Sequence, residues 1–422
     1  MNSWLKALAC CTLSTAVGIA PLVFAQTTSK KRIPADPAEL ALDNLLTTAQ
    51  AAMERKDFQA AAQNYQDYLA KKPDDALVHF DLGYAFMSME KLSDAKGEYE
   101  KAISLDPKME PAYLNLGLTL VDTDPGAAVA PLQKAVELNP NQPGPKFLLG
   151  VAFEKKHNLS EAIEQYQAAE VLDGTDFNIR FALARVLLET GHAAEAEPEF
   201  RAAAGMRPDN SVARLGLARS LLMQKHLDEG AAELEKYLAI QPDDVGARVE
   251  HASALVDMAK YEDALAELDK AATSSPEGLR ALKLRSQIYF EKKRYADAVP
   301  VLQKAEALAP QDPMLPARLG HVYLENKQYP DAVRELIVAF KMDSGSGDTL
   351  KDLVLAQYLN KNYPAALEGI DLAAESFAGH RLAGGLWYQR TDYGAPIEQV
   401  LFGNPIYFLN GHALDRLNIF LR

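Results

Sequence analysis

Large apolar side chains recur along this chain at helical rather than strand spacing. Leu82, Phe86, Tyr99 and Ile103 form one such set, and Leu183, Leu187, Phe200 and Ala203 another. Positions three or four apart share a helix face, so the sets predict pairs of amphipathic helices. Short polar turns such as 90–93 and 326–329 separate the two helices of a pair. A column of small residues recurs about every 34 positions: Ala61, Ala95, Ala128, Ala162, Ala196, Gly230, Ala264, Ala298, Ala332 and Ala366, with one step of 33 between Ala95 and Ala128. A second small column lies twelve residues earlier in most units (Ala49, Gly83, Gly150, Ala184, Ala218, Ala252, Ser286 and Gly320), and a third seven residues later (Ala102, Ala135, Ala169, Ala203, Ala271, Ala305, Ala339 and Ala373). Two helices approach closely only where neither presents a bulky side chain, so each unit is expected to be one tightly packed antiparallel pair.

Proline separates most units, at Pro73, Pro107, Pro140, Pro208, Pro242, Pro276 and Pro310, and Asp, Asn or Gln usually follows it. It cannot continue the preceding helix, so it stops one unit and resets the chain for the next. Gly174 and Ser344 take its place in two units, the third unit is shortened around Asp124, Pro125 and Gly126, and the tenth has Val354 at a small position.

This pattern, seen in LVHFDLGYAFMSMEKLSDAKGEYEKAISLDPKM at 77–109, resembles the tetratricopeptide repeat (TPR). The resemblance covers 42–375, about ten units and roughly four fifths of the chain. It implies an all-α fold, a right-handed superhelical solenoid whose first helices line a concave groove for peptides or protein surfaces. Carried onto this sequence, the groove columns are Phe80, Leu114, Phe147, Phe181 and Leu215; then Tyr84, Leu118, Val151, Arg185 and Arg219; then Met87, Leu188 and Leu222. A groove so lined suits a peptide with apolar anchors, while the competing reading is that these side chains only seal the packing between repeats. Chaperone-binding members hold a C-terminal carboxylate with Lys and Asn at matched positions. Leu46, Gln50 and Tyr84 stand there in the first units, so that docking is not carried over.

Charge narrows the partners. The chain has a formal charge of −14, and its first 25 residues contribute only Lys6, so the remainder carries −15. Nucleic acid and acidic membrane surfaces are therefore not expected partners. Arginines do recur with the repeat, at Arg180, Arg214 and Arg248 and at Arg185 and Arg219. They are read first as salt-bridge partners of acids such as Glu189, Glu250 and Asp257, and second as anchors for an anionic ligand. His157, His192 and His226 fall at successive turns, but no carboxylate spacing typical of a metal site accompanies them. HExxH, GxSxG and phosphate-loop patterns are missing. The expectation is a non-enzymatic protein without cofactor or metal.

The ends read differently. Lys6, the apolar stretch 7–24 and Val23-Phe24-Ala25 form a secretory signal pattern, with cleavage before Gln26. The expected organisation is a signal peptide (1–25), an extended linker (26–41), the array (42–375) and a glycine- and aromatic-rich capping segment (376–422). Both cysteines, Cys10 and Cys11, lie in the signal, so the mature chain is expected to have no thiol and no membrane span. An exported scaffold, periplasmic or extracellular, follows as the first expectation. An envelope polysaccharide-export or outer-membrane assembly factor is the alternative, and a hydrolase hidden in 376–422 is a third reading that so short a segment disfavours.

Overall fold

The computed structural model describes residues 37–271 and 276–369. The signal (1–25), residues 26–36 of the linker, residues 370–375 of the array and the capping segment (376–422) lie outside them. The described residues are helical throughout apart from turns, and they divide between Ile240 and Gln241 into two compact units.

Unit one contains α1 (Pro37–Glu54) with α2 (Phe58–Leu69), α3 (Ala76–Ser88) with α4 (Leu92–Leu105), and α5 (Glu110–Leu120) with α6 (Pro125–Leu138). It continues with α7 (Pro143–Lys155) and α8 (Leu159–Leu172), α9 (Phe177–Glu189) and α10 (Ala193–Met206), and α11 (Ser211–Met223) and α12 (Leu227–Ile240). Unit two pairs α13 (Val245–Asp257) with α14 (Tyr261–Asp269), α15 (Pro276–Glu291) with α16 (Tyr295–Leu308), and α17 (Met314–Glu325) with α18 (Tyr329–Met342). Its last pair begins with α19 (Gly347–Leu359), followed by helix at 363–369. The expected linker is helical from Pro37 onward, because proline at the first helical position loses no hydrogen bond and already has helical φ.

The helix boundaries follow local chemistry. Asp75, Asp176, Asn210, Asp244 and Ser346 accept backbone N–H bonds at the starts of α3, α9, α11, α13 and α19. Three of these caps stand two residues after Pro73, Pro208 and Pro242, so a Pro-x-Asp/Asn turn both stops one helix and starts the next. Within the pairs, nine turns close with the same two bonds, as in Lys260 N–H to the Leu255 carbonyl and Ala259 N–H to that of Val256. This is the Schellman closure, and it forces one residue per turn into the left-handed region. Only Gly191 is glycine there; Lys56, Glu90, His157, Lys225, Ala259, Lys293, Lys327 and Lys361 adopt φ of 55–65° with a side chain attached. The shortened third pair avoids the strained residue, since Asp124 caps α6 directly and Pro125 opens it.

The small columns do what their periodicity demands. Each second helix carries one large, fully buried side chain: Tyr65, Tyr99, Leu132, Tyr166, Phe200 and Leu234 in unit one, Leu268, Leu302 and Leu336 in unit two. A Cβ added at Gly83 would lie 2.8 Å from the Tyr99 ring, and one at Gly150 2.6 Å from that of Tyr166. On its other side the same kind of ring meets the next repeat: Gly216 of α11 lies against Phe200 of α10, with no room for a methyl group. Gly83, Gly150 and Gly320 thus meet the large residue sixteen positions on, Gly117 the one fifteen on, and Gly216 the one sixteen before. The tenth repeat reverses the arrangement, with Val354 on the first helix facing Gly369 on the second.

Candidate functional site

The thirteen candidate groove residues all lie in unit one, on one face of α3, α5, α7, α9 and α11. Phe80, Val151, Leu188 and Leu215 are buried, and Tyr84, Met87, Leu114, Leu118, Phe147, Phe181, Arg185, Arg219 and Leu222 are half-buried. None is fully exposed. The aromatic column at Phe80, Phe147 and Phe181 packs on the buried rings of its own second helices, with centroids 5.8 Å from Tyr99, 5.7 Å from Tyr166 and 6.1 Å from Phe200. These rings stiffen the pairs while keeping one edge outward for two of the three. The Met87 sulfur accepts from the hydroxyls of Tyr99 (3.8 Å) and Thr119 (3.7 Å), which fixes a flexible side chain at the boundary of two repeats.

The arginines resolve into two groups. Arg180, Arg214 and Arg248 each bridge to a glutamate nineteen residues on, in the second helix of the same pair: Glu199 at 2.5 Å, Glu233 at 3.0 Å and Glu267 at 3.0 Å. Each also donates to a carbonyl six residues back, on Gly174 (2.6 Å), Pro208 (3.2 Å) or Pro242 (3.0 Å). These are clasps that tie a pair to the turn before it. For these three the glutamate lies on the other helix of the pair, because the guanidinium reaches across the pair instead of along its own helix, whereas the Glu189 charge acts on Arg185 along α9. Arg180 also meets Glu170 at 2.7 Å, and burial together with the Glu170 charge raises the Glu199 carboxyl.

Arg185 belongs to the groove face, where it donates to Glu154 of the preceding repeat. Glu154 also accepts from the Tyr166 hydroxyl at 2.9 Å, so two side chains, one from each of two repeats, share its carboxylate. Glu154 was not singled out from the sequence. The available signal was its place as a lone acid among Met87, Val121, Leu188 and Leu222.

Asp81 is a second buried charge-bearing group, only 8% exposed, in the column where Asn115 stands in the next repeat. Burial pushes its carboxyl up to about 7, with the Asp75 charge adding, and it faces Tyr65, whose hydroxyl burial raises as well. Asn115 meets the same need without charge by hydrogen-bonding the Tyr99 hydroxyl.

In unit two the corresponding face is more polar. Lys283 bonds Asp312 at 2.6 Å, and His321 bonds Asp352 at 2.5 Å while its ring lies tilted against Phe290, centroids 5.1 Å apart. The hydrogen bond to Asp352 raises the His321 pKa. Among the described residues no group of His, Cys, Asp and Glu is arranged to hold a metal ion, and no helix is long and apolar enough to cross a membrane.

Helix pairs recurring at 34 residues, packed through small residues and in four cases clasped by a cation and a glutamate, define an α-helical repeat protein. Two models of the tetratricopeptide repeat match it, one over 46–110 and 249–313, the other over 187–250 and 289–339. The chain belongs to the tetratricopeptide-repeat family. Among curated proteins it is similar to the tetratricopeptide repeat and J domain-containing co-chaperone DNJ1 of Fusarium oxysporum f. sp. lycopersici, 32% identical over 100 residues, which are 24% of this chain and 19% of that protein. It is also similar to a Protein SGT1 homolog of Oryza sativa subsp. japonica, 32% identical over 84 residues, 20% of this chain and 23% of the other. The chain spans less than a quarter of either relative. Among solved structures it resembles YrrB, described as a TPR protein with an unusual peptide-binding site, at 23% identity and a TM-score of 0.41, over 44% of this chain and 97% of that one. MamA from Desulfovibrio magneticus RS-1 matches at 18% identity and a TM-score of 0.39, over 40% and 97%.

Proposed function

We propose that this chain is an exported, non-enzymatic scaffold that holds an extended segment of another protein along the first helices of unit one. The observation that supports this reading is the state of the candidate face. Nine of its side chains are held half-buried, and the charge at its centre, Arg185, is already paired with Glu154. Such a face offers partly desolvated apolar surface on rigid helices, which is what apolar anchors of a peptide require. Tyr84, Met87, Leu114, Leu118, Phe147 and Phe181 are the side chains assigned to contact it. Export rests on the N-terminal pattern, and the mature chain begins at Gln26 in this reading.

The test is site-specific photocrosslinking in cells, with a photoreactive phenylalanine analogue at Tyr84 or Leu118 and, as control, at the exposed Leu105. The same small set of proteins captured at Tyr84 and Leu118 but not at Leu105 supports the groove. Capture that is equal at all three, or absent, refutes it. N-terminal sequencing of the same preparations tests export, since a chain beginning at Met1 contradicts it.

A further inference from the structure

The clasp of repeat two differs from the others in one respect: histidine stands where repeats five to seven have arginine. His79 is buried, 6% exposed, and its Nδ1 lies 2.5 Å from Glu98 Oε2 while its Nε2 lies 2.9 Å from the Pro73 carbonyl oxygen. These are the same two partners that Arg180, Arg214 and Arg248 take, a glutamate nineteen residues on and a carbonyl six residues back. A carbonyl oxygen only accepts, and so does an ionised carboxylate. Both ring nitrogens therefore need a hydrogen, which only the imidazolium supplies.

We infer that His79, Glu98 and the Pro73 carbonyl form a proton-dependent latch, which closes repeat two when the imidazole is protonated and loosens it when that proton leaves. In repeats five to seven the cation is guanidinium, which keeps its charge at every physiological pH, so the same clasp there is permanent. A neutral His79 keeps its one hydrogen on Nδ1 for the Glu98 carboxylate, the stronger acceptor, so Nε2 turns a lone pair toward the Pro73 carbonyl and that hydrogen bond becomes a repulsion. The other groups around the latch do not replace the proton. Lys101 of α4 bonds the second oxygen of Glu98 at 2.9 Å, Asp75 is occupied by the Tyr68 hydroxyl at 2.9 Å and the Val78 N–H at 3.2 Å, and Asp81 lies two residues along α3. The latch sits at the N-terminal turns of α3, one residue from Phe80 and five from Tyr84. Its opening would loosen one end of the candidate face and leave the repeats with Arg180 and Arg214 closed.

The experiment is hydrogen exchange of the full chain with mass spectrometry, reported as protection relative to the intrinsic rate at each pH. It compares the Asp81→Asn chain, in which the neighbouring carboxyl no longer titrates, with its His79→Arg derivative. Between about pH 6 and about pH 8.5, amides of α3 in the His79 chain lose about tenfold in protection, the scale of one charge-assisted hydrogen bond. In the His79→Arg derivative they change by less than about twofold, and α9, closed by Arg180, stays constant in both. Parallel change in the two chains overturns the latch, and so does a neutral His79 ring at about pH 6 in the nitrogen NMR spectrum of histidine-labelled protein. Should the arginine variant fail to fold, Glu98→Gln serves instead: its amide donates to an unprotonated ring nitrogen, so the pH dependence disappears. A Glu98→Gln chain that keeps the full dependence overturns the proposal equally.

Discussion

Replacing Asp81 by asparagine is expected to stabilise unit one at neutral and alkaline pH and to do little in acid. The carboxyl is buried against Tyr65 and ionises near pH 7 in the folded chain, held up first by desolvation and then by Asp75. In the unfolded chain it ionises near pH ~4, as any exposed aspartate does. Below pH ~4 it is neutral in both states and costs nothing. Between about 4 and 7 the unfolded state ionises while the folded state must stay protonated, so stability falls as pH rises; above about 7 the full cost remains. Each pH unit of that interval is worth about 1.4 kcal/mol, so the ceiling is ~4 kcal/mol at pH ~8. Local relaxation reduces this, and about 2–4 kcal/mol is expected. Asparagine has the same shape and no charge, and the fold accepts it at the equivalent Asn115. Denaturant titration followed by circular dichroism at about pH 4.5, 6 and 8, with hydrogen exchange across α2 to α4 to localise the effect, measures it. A gain that is the same at pH ~4.5 and pH ~8, or a loss at pH ~8, refutes the reasoning, since either means that the carboxyl is solvated or hydrogen-bonded as the anion.

Four further outcomes are expected. Gly216→Ala drives a methyl into the Phe200 ring and costs about 1–3 kcal/mol, most of it recovered by Phe200→Leu because leucine fills that column at Leu132 and Leu234; denaturation of both single variants and the double variant measures the recovery. Ala259→Gly relieves a side chain at φ 57° and raises the unfolding free energy of unit two by ~0.5–1 kcal/mol, read from its denaturation midpoint. Arg185→Ala leaves Glu154 partly buried without its cation and costs ~2–3 kcal/mol by the same assay, whereas Arg185→Met with Glu154→Met restores most of it. Tyr113→Arg combined with Pro131→Glu builds a clasp in repeat three, with a coupling of about 1–2 kcal/mol in a double-mutant cycle; zero coupling counts against the clasp as a unit.

The repeat period and the position of nearly every helix were legible because a helix pair needs small residues where it touches itself, and alanine or glycine every 34 positions has few other causes. The polar interior was harder to read. An arginine's partner nineteen residues away lies on a different helix, and only the crossing of that particular pair brings Glu199, Glu233 or Glu267 under it. Glu189, Glu250 and Asp257 share the arginine-bearing helices and carry the right charge, so the sequence alone favoured them. Glu154 is a single polar residue in an otherwise apolar column, which pattern reading averages away, and Asp81 shares its column with Asn115, Glu250, Arg318 and Asp352, so nothing in the sequence marks it as buried. The strained turns were hidden for a different reason. Lysine at five of the nine left-handed positions is no signal for that conformation, and tertiary closure of the helix pair imposes it against local preference. Of the candidate face, the columns were legible but the division into buried and half-buried members was not, since both kinds of position use the same apolar residues.

The repeats themselves supply the comparison that a single sequence otherwise lacks. Aligned on the small column, glutamate stands opposite a cation in repeats five to seven (Arg) and in repeat two (His79 with Glu98), both are gone in repeat three (Tyr113 with Pro131) and repeat eight (Leu282 with Val301), and repeat four keeps a cation, Lys146, opposite the neutral Gln165. A half-buried glutamate that lost its cation would be left with a desolvation cost and little to offset it, so the glutamate is expected to be lost wherever the cation is. The exception obeys the same rule. Glu335 stands opposite Pro316, and it takes Arg334 of its own helix at 3.0 Å instead. Position 113 still has Pro107 six residues before it, as Arg214 has Pro208 and Arg248 has Pro242, so repeat three retains the carbonyl half of the clasp and lacks only the ion pair. That is why both substitutions are needed there. Arginine alone gains one hydrogen bond to a carbonyl and no ion pair, glutamate alone adds an unpaired charge, and only the two together reproduce the geometry seen in repeats five to seven.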